Sequence, residues 1–171
     1  MDADAFVEEL ARARIGSTYN QYRRLHLGCR LRAYLESRRD APVLLVGEAA
    51  GYRGARVSGI PFTSERQLTG TGPAEATATI VHRVLEELAL DDDVLLWNVV
   101  PTHPGTATTN RAPTRDEVLA ARWFLDELTR NRHVVAVGRL AARVLGAPYV
   151  RHPSHGGAVE FAAGLRRTLG A

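Results

Sequence analysis

Val43-Leu44-Leu45-Val46-Gly47 sets the architecture of this chain. Four apolar residues in an unbroken row, two of them β-branched, suit a strand covered on both faces, and Gly47 is expected to end it. The pattern returns at Val94-Leu95-Leu96-Trp97, expected to end at Asn98, and at His133-Val134-Val135-Ala136-Val137, which turns at Gly138. Pro148 to Arg151 reads as a short fourth strand. Helical spacing fills the intervals. Ile80, Val81, Val84, Leu85 and Leu88 share one face of a helix, and Thr114 with Glu117 forms a capping-box signature for another, with Val118, Ala121, Leu125 and Leu128 inward. A third helix stops at Gly146, and a last one runs from about Gly156 to Leu169. Two helices precede the first strand: Ala3 to Arg14, then one with Leu27, Leu31, Tyr34 and Leu35 on its inner face. The opposite face of that second helix carries Arg24, Arg30, Arg32 and Arg38 and is expected to be solvated, the alternative being a phosphate-facing patch. Strands alternating with helices imply parallel pairing, because a parallel connection needs a crossover. The expected fold is a three-layer α/β/α sandwich with a short, mainly parallel four-stranded central sheet. One domain is expected over residues 1–171, with N-terminal helices 1–40 packed onto an α/β core 41–171.

Composition narrows the chemistry. The 171 residues are 45% apolar and 24% charged, enough for a packed core. All 22 basic side chains other than histidine are arginines, so no lysine can form a Schiff base. The formal charge of +3 leans towards an anionic partner, which arginine grips in a bidentate fork. Cys29 is the lone cysteine, which excludes an internal disulfide and an iron–sulfur cluster; neither a cofactor nor a metal is expected. No apolar run is long enough to span a bilayer, and the acidic start at Asp2, Asp4, Glu8 and Glu9 does not suit a secretory signal. A cytoplasmic monomer without a membrane partner is expected.

Ligands of open α/β sheets bind beyond the carboxyl ends of the strands, which directs attention to three exits. The first is Gly47-Glu48-Ala49-Ala50-Gly51-Tyr52-Arg53-Gly54, followed by Ser58-Gly59-Ile60-Pro61-Phe62. It reads as a glycine-rich turn, but it matches neither the P-loop, which needs a lysine, nor the dinucleotide fingerprint. Glu48 is either a general base or electrostatic partner of a cation, or a carboxylate capping the turn. At the second exit Asn98 offers a donor and an acceptor side by side, suited to the edge of a base or to a turn backbone. At the third, Arg151-His152-Pro153-Ser154-His155-Gly156-Gly157, His152 suits stabilisation of an anion, while Ser154 and the neighbouring amides suit a phosphate. A buried structural histidine is the competing role. The spacing of His103, His152 and His155 matches no metal-ligand pattern.

Together these stretches resemble the uracil-DNA glycosylase superfamily, from about Pro42 to Leu165. Gly47-Glu48-Ala49-Ala50-Gly51 resembles the family's water-activating motif, commonly Gly-Glu-Ala-Pro-Gly, with Ala50 in place of proline. Ser58-Gly59-Ile60-Pro61-Phe62 is similar to the stretch that supplies the aromatic stacked on an extruded base. Asn98 matches the base-reading asparagine, and His152-Pro153-Ser154 the second signature motif. Asn110-Arg111-Ala112-Pro113-Thr114 resembles the Asn-Arg-x-Pro-Thr start of a helix in the iron–sulfur branches.

The resemblance implies a monofunctional DNA glycosylase of base excision repair that hydrolyses the N-glycosidic bond of uracil, or of other deaminated bases, and leaves an abasic site. It implies catalytic roles for Glu48 and His152, base contacts from Gly47, Ala49, Gly51, Phe62 and Asn98, and DNA contacts from Arg53, Arg56, Ser154, His155 and Gly156, with the Gly157 amide beside them. Ala49 stands where some branches carry a second water-activating side chain. Gly51 stands where strict uracil enzymes carry a tyrosine that excludes thymine, so a wider base range is implied. No bulky wedge follows His152-Pro153-Ser154, which favours single-stranded or mismatched DNA as partner. The alternative is a catalytically weak or inactive damaged-DNA-binding module of the same fold. A hydrolase or transferase of small phosphorylated molecules rests on the glycine-rich turn alone.

Overall fold

In a computed structural model, which describes residues 1–170, β1 (Val43–Ala49) takes an inner place in the sheet. It pairs in parallel with β2 (Val94–Val100) on one side and β3 (His133–Val137) on the other, and β4 (Tyr149–Val150) extends β3 in the same sense. The order is β2-β1-β3-β4. Every pairing is parallel, so helices cover both faces.

Side chains alternate across the pleat and separate two cores. Leu44 and Val46, with Leu95, Trp97 and Ala136, pack under α1 (Ala3–Arg12), α2 (Leu25–Ser37), α6 (Arg115–Thr129) and α7 (Arg139–Leu145). Val43 and Leu45, with Leu96, Val135 and Val137, pack under α5 (Ala76–Glu87) and α8 (Ala158–Leu169). Asp2 caps α1, and Phe6 on that helix meets Trp97 and Phe124 edge-on. The predicted capping box on α6 forms: the Thr114 hydroxyl accepts the Glu117 N–H, and the Glu117 carboxylate accepts the Thr114 N–H at 2.8 Å.

Three expectations are corrected. Gly47 and Asn98 do not terminate their strands; β1 runs on to Ala49 and β2 to Val100, with Gly47 opposite Asn98 and Ala49 opposite Val100. The first exit, read as a glycine-rich turn, contains α3 (Ala55–Ser58) and is followed by α4 (Glu65–Thr69). The arginine face of α2 is largely ion-paired rather than solvated: Arg30 grips Glu65 with two bonds of 2.7 and 3.0 Å, Arg32 pairs with Asp4, and Arg38 with Asp92. These carboxylates come from α1, α4 and the turn before β2, distant in sequence.

Candidate active site

Gly47, Phe62 and Asn98 converge at the exit of β1. A β-carbon added at Gly47 would overlap Cζ of Phe62 and come within 2.8 Å of Asn98 Oδ1. Glycine is therefore required there by close approach, and the strand continues through it because β2 keeps pairing. That placement moves the turn past the end of β1, to residues 52–54.

Phe62 is presented by a braced loop. Its backbone sits in the left-handed region at φ 52°, a strained setting for a side chain of this size. The Ser58 hydroxyl donates to the Thr63 carbonyl at 2.6 Å and accepts the Ile60 N–H at 3.1 Å. The Thr63 hydroxyl donates to the Pro61 carbonyl and meets His82 Nε2 of α5 at 2.9 Å. Burial lowers the pKa of His82. The Phe62 ring is thus fixed over Gly47. Asn98 is 4% exposed, and its amide makes no hydrogen bond among the described residues. A buried amide with both its donor and its acceptor unused has the valences that a base edge requires.

Glu48 leaves the sheet on the other side. Alternation turns it away from Gly47 and towards α7, where Arg143 pulls its pKa down and burial, the larger effect, pushes it up. The structure thus brings Gly47, Phe62 and Asn98 together and points Glu48 to the opposite face. At the strand end the alternation lapses, and Ala49 also packs against the α1/α2/α6 core.

His152 follows β4 and lies beside the β3–α7 turn, where a β-carbon at Gly138 would be 3.6 Å from its own. Its Nδ1 accepts the Ser154 N–H at 3.2 Å and contacts the Ser154 hydroxyl at 2.8 Å. An Nδ1 that accepts carries no proton, so the neutral ring holds its hydrogen on Nε2. Burial lowers the pKa of His152, with nearby His155 acting in the same direction. His155 Nδ1 reaches the same hydroxyl at 3.0 Å. Ser154 is therefore engaged by two imidazoles. The Gly157 N–H donates to the Ser154 carbonyl, which corrects the expectation that this amide is free for a phosphate. His155 and Gly156 turn the loop with φ of 51° and 76°.

The first and second exits are tied together. His103, fully buried, reaches the Ala50 carbonyl with Nδ1 and the Thr106 carbonyl with Nε2, each at 2.7 Å. The Tyr52 N–H donates to Asn110 Oδ1 at 2.9 Å. Arg53 lies over the Tyr52 ring and Arg56 over the Tyr19 ring, at 5.4 and 4.8 Å.

Glu75, at the N-cap of α5, belongs to none of the sequence motifs. β-carbons at Gly51 and Gly54 would overlap its two carboxylate oxygens, so these glycines make room for it. Burial raises its pKa. Only the fold shows this contact, because 24 residues separate Gly51 from Glu75. Among the described residues no cluster of three or more His, Cys, Asp or Glu side chains is arranged to hold a metal ion.

The family model of the Uracil DNA glycosylase superfamily matches residues 35–166, a stretch that contains all three exits. No curated protein matches the chain. Among solved structures, wild-type SMUG2 of Pedobacter heparinus superposes with a TM-score of 0.69 at 13% identity, over 98% of this chain and 95% of that one. At that identity the likeness speaks for the fold.

Proposed function

The chain belongs to the uracil-DNA glycosylase superfamily, and from that premise we propose that it hydrolyses the N-glycosidic bond of uracil, and of related deaminated bases, in DNA. The observation that carries this reading is the Gly47–Phe62–Asn98 convergence, a stacking platform beside an unused amide. A uracil turned out of the stack lies on Phe62 and offers its N3–H to Asn98 Oδ1 and its O4 to Nδ2. Gly47 makes room for the Phe62 ring. His152, neutral and carrying its hydrogen on Nε2, donates to the base oxygen on which negative charge develops. Glu48 leaves β1 on the face away from Phe62, towards Arg143, and its role rests on its place in the family motif: from the strand end it offsets the positive charge of the sugar and orients water. The water oxygen bonds to C1′ as the C1′–N bond breaks, the base leaves with the electron pair, and the water proton passes to solvent or base. With no lysine available for a Schiff base, the product strand stays intact at an abasic site.

The test is a labelled uracil-containing oligonucleotide, single- and double-stranded, incubated with pure protein and then alkali. Breaks at uracil are expected, and their absence in both forms would overturn the reading. Hypoxanthine and xanthine oligonucleotides run in parallel define the base range.

Asn98→Asp is expected to lower uracil excision by roughly 100-fold or more. The carboxylate loses the amide donor to O4 and adds a buried charge, each mismatch costing about 1–3 kcal/mol. Single-turnover excision measures it, and a wild-type rate in the variant would remove Asn98 from base reading.

Glu48 acts ionised, and its pKa is raised by burial, so activity should fall on acidification at a pH above the ordinary glutamate range. Glu48→Gln is expected to lower the rate and flatten that acid limb. An acid limb unchanged in Glu48→Gln would assign it to another group.

The second reading, a damaged-DNA-binding module with little turnover, is favoured by Ala49 and by the direction Glu48 takes from the sheet. Tight retention of uracil-containing DNA without base release, unchanged by Glu48→Gln, would establish it.

A further inference from the structure

Ten of the 22 arginines form ion pairs with carboxylates. Among the described residues Arg24 and Arg56 form none, yet both guanidiniums rest on one ring: Cζ of Arg24 lies 5.9 Å and Cζ of Arg56 4.8 Å from the centre of Tyr19. Nε of Arg56 is shielded from solvent and has no hydrogen-bond partner. Arg24 is the N-cap of α2 and therefore stands at the positive end of a helix dipole, the unfavourable end for a cation. Two cations on one aromatic ring, one of them at a helix N-terminus and the other with an orphaned donor, are crowded in a way that a bound anion relieves.

The ring itself is held in place. The Tyr19 N–H donates to the His103 carbonyl at 2.8 Å, and the His103 N–H returns a bond to the Tyr19 carbonyl at 3.0 Å. His103 in turn holds the Ala50 carbonyl at the β1 exit, so Tyr19 is braced against the segment that carries Glu48. Tyr19 and Arg24 lie outside the 35–166 stretch that matches the family, whereas Arg56 lies within it. The N-terminal segment therefore completes a surface that the family-matched core only half supplies.

We propose that Tyr19 holds Arg24 and Arg56 as a clamp for the phosphodiester backbone of DNA beside the base pocket. The anion is taken as DNA because the clamp adjoins the proposed uracil site, and to that extent it rests on that reading.

The test uses the full chain and a fluorescent oligonucleotide with a tetrahydrofuran abasic site, which is bound but not cleaved, in anisotropy titrations over a range of NaCl concentrations. Arg24→Ala and Arg56→Ala are each expected to weaken binding several-fold at low salt and to reduce the slope of log K against log salt by about 0.7–0.9, the loss of one phosphate contact. Tyr19→Leu, which removes no charge, is expected to reduce the slope too, while Tyr19→Phe keeps it. Arg39→Ala, near the opposite end of β1, is the charge-matched control and should bind as wild type. Slopes for Arg24→Ala and Arg56→Ala equal to that of Arg39→Ala would overturn the clamp, as would a wild type with no affinity for DNA. Binding of millimolar inorganic phosphate that is lost in Arg56→Ala, with DNA affinity and salt slope the same in that variant as in wild type, would overturn DNA in favour of a small anion. No uracil excision together with the expected slopes would overturn the uracil reading and leave the clamp standing.

Discussion

Gly47→Ala is expected to reduce uracil excision by roughly 100- to 1,000-fold while leaving the chain folded. The new methyl overlaps Cζ of Phe62 and crowds Asn98 Oδ1. Neither neighbour yields easily. Phe62 is 7% exposed, and its loop is tied down by Ser58 and Thr63. The strand cannot retreat, because Gly47 lies in a parallel ladder opposite Asn98. Overpacking of this kind costs about 1–3 kcal/mol of stability, tolerable for a domain of this size. The effect on the reaction is larger because both proposed base contacts are displaced. Losing a stacking platform costs about 1–3 kcal/mol and losing an aligned amide a similar amount, of which about 3–4 kcal/mol together gives the stated fall in rate. Single-turnover excision beside a thermal melt separates the two effects. A melt lowered by several degrees with excision at the wild-type rate would show that the base does not stack on the Phe62 ring held against Gly47.

The strand cores were legible because a strand buried on both faces needs little more than an apolar run, and Val43–Val46 and Val94–Trp97 supply one. Their ends were not. Glycine and asparagine ordinarily break strands; Gly47 stays in β1 because β2 keeps pairing, and it must be glycine because Phe62, 15 residues later, occupies the space that a side chain would fill. The members of the proposed base site were named by resemblance, but their sidedness is a matter of period two. Gly47 and Glu48 are adjacent and must face opposite ways, a conclusion that required the strand to be carried past Gly47. Charge was harder still. Arg30 and Arg24 look alike on the helix, yet one is neutralised by Glu65 and the other rests unpaired on Tyr19. Nothing local to α2 distinguishes them, since each partner arrives from elsewhere in the fold.

Arg111→Ala is expected to cost about 2–3 kcal/mol of stability, the largest loss of stability foreseen for any single side chain near the exits. Glu117 is 1% exposed, and its carboxylate takes two bonds from Arg111, of 2.7 and 2.5 Å. The Arg111 guanidinium also donates to the Ala112 carbonyl and the Ser17 hydroxyl, so one side chain joins the N-terminal segment to the start of α6. Removing one partner of a buried pair costs about 3–5 kcal/mol; the exposure of Arg111 and the bonds that Thr114 and Ser17 still give Glu117 reduce this. Principally the Arg111 bonds hold the Glu117 pKa at about 2, below its ordinary 4.5. The folded value is the depressed one, so the stabilisation is complete above about pH 4.5 and is lost as the pH falls towards 2. The gap in stability between wild type and Arg111→Ala should therefore be widest at neutral pH and narrow in acid, as urea unfolding at a series of pH values would show; a gap independent of pH would deny the pair this role. Excision should suffer as well, though less than in Gly47→Ala. Asn110, the residue before Arg111, holds the Tyr52 N–H and so steadies the β1 exit from the β2 side. A lesion that acts only through this strut should leave the affinity for an abasic-site oligonucleotide nearly intact while slowing the chemical step.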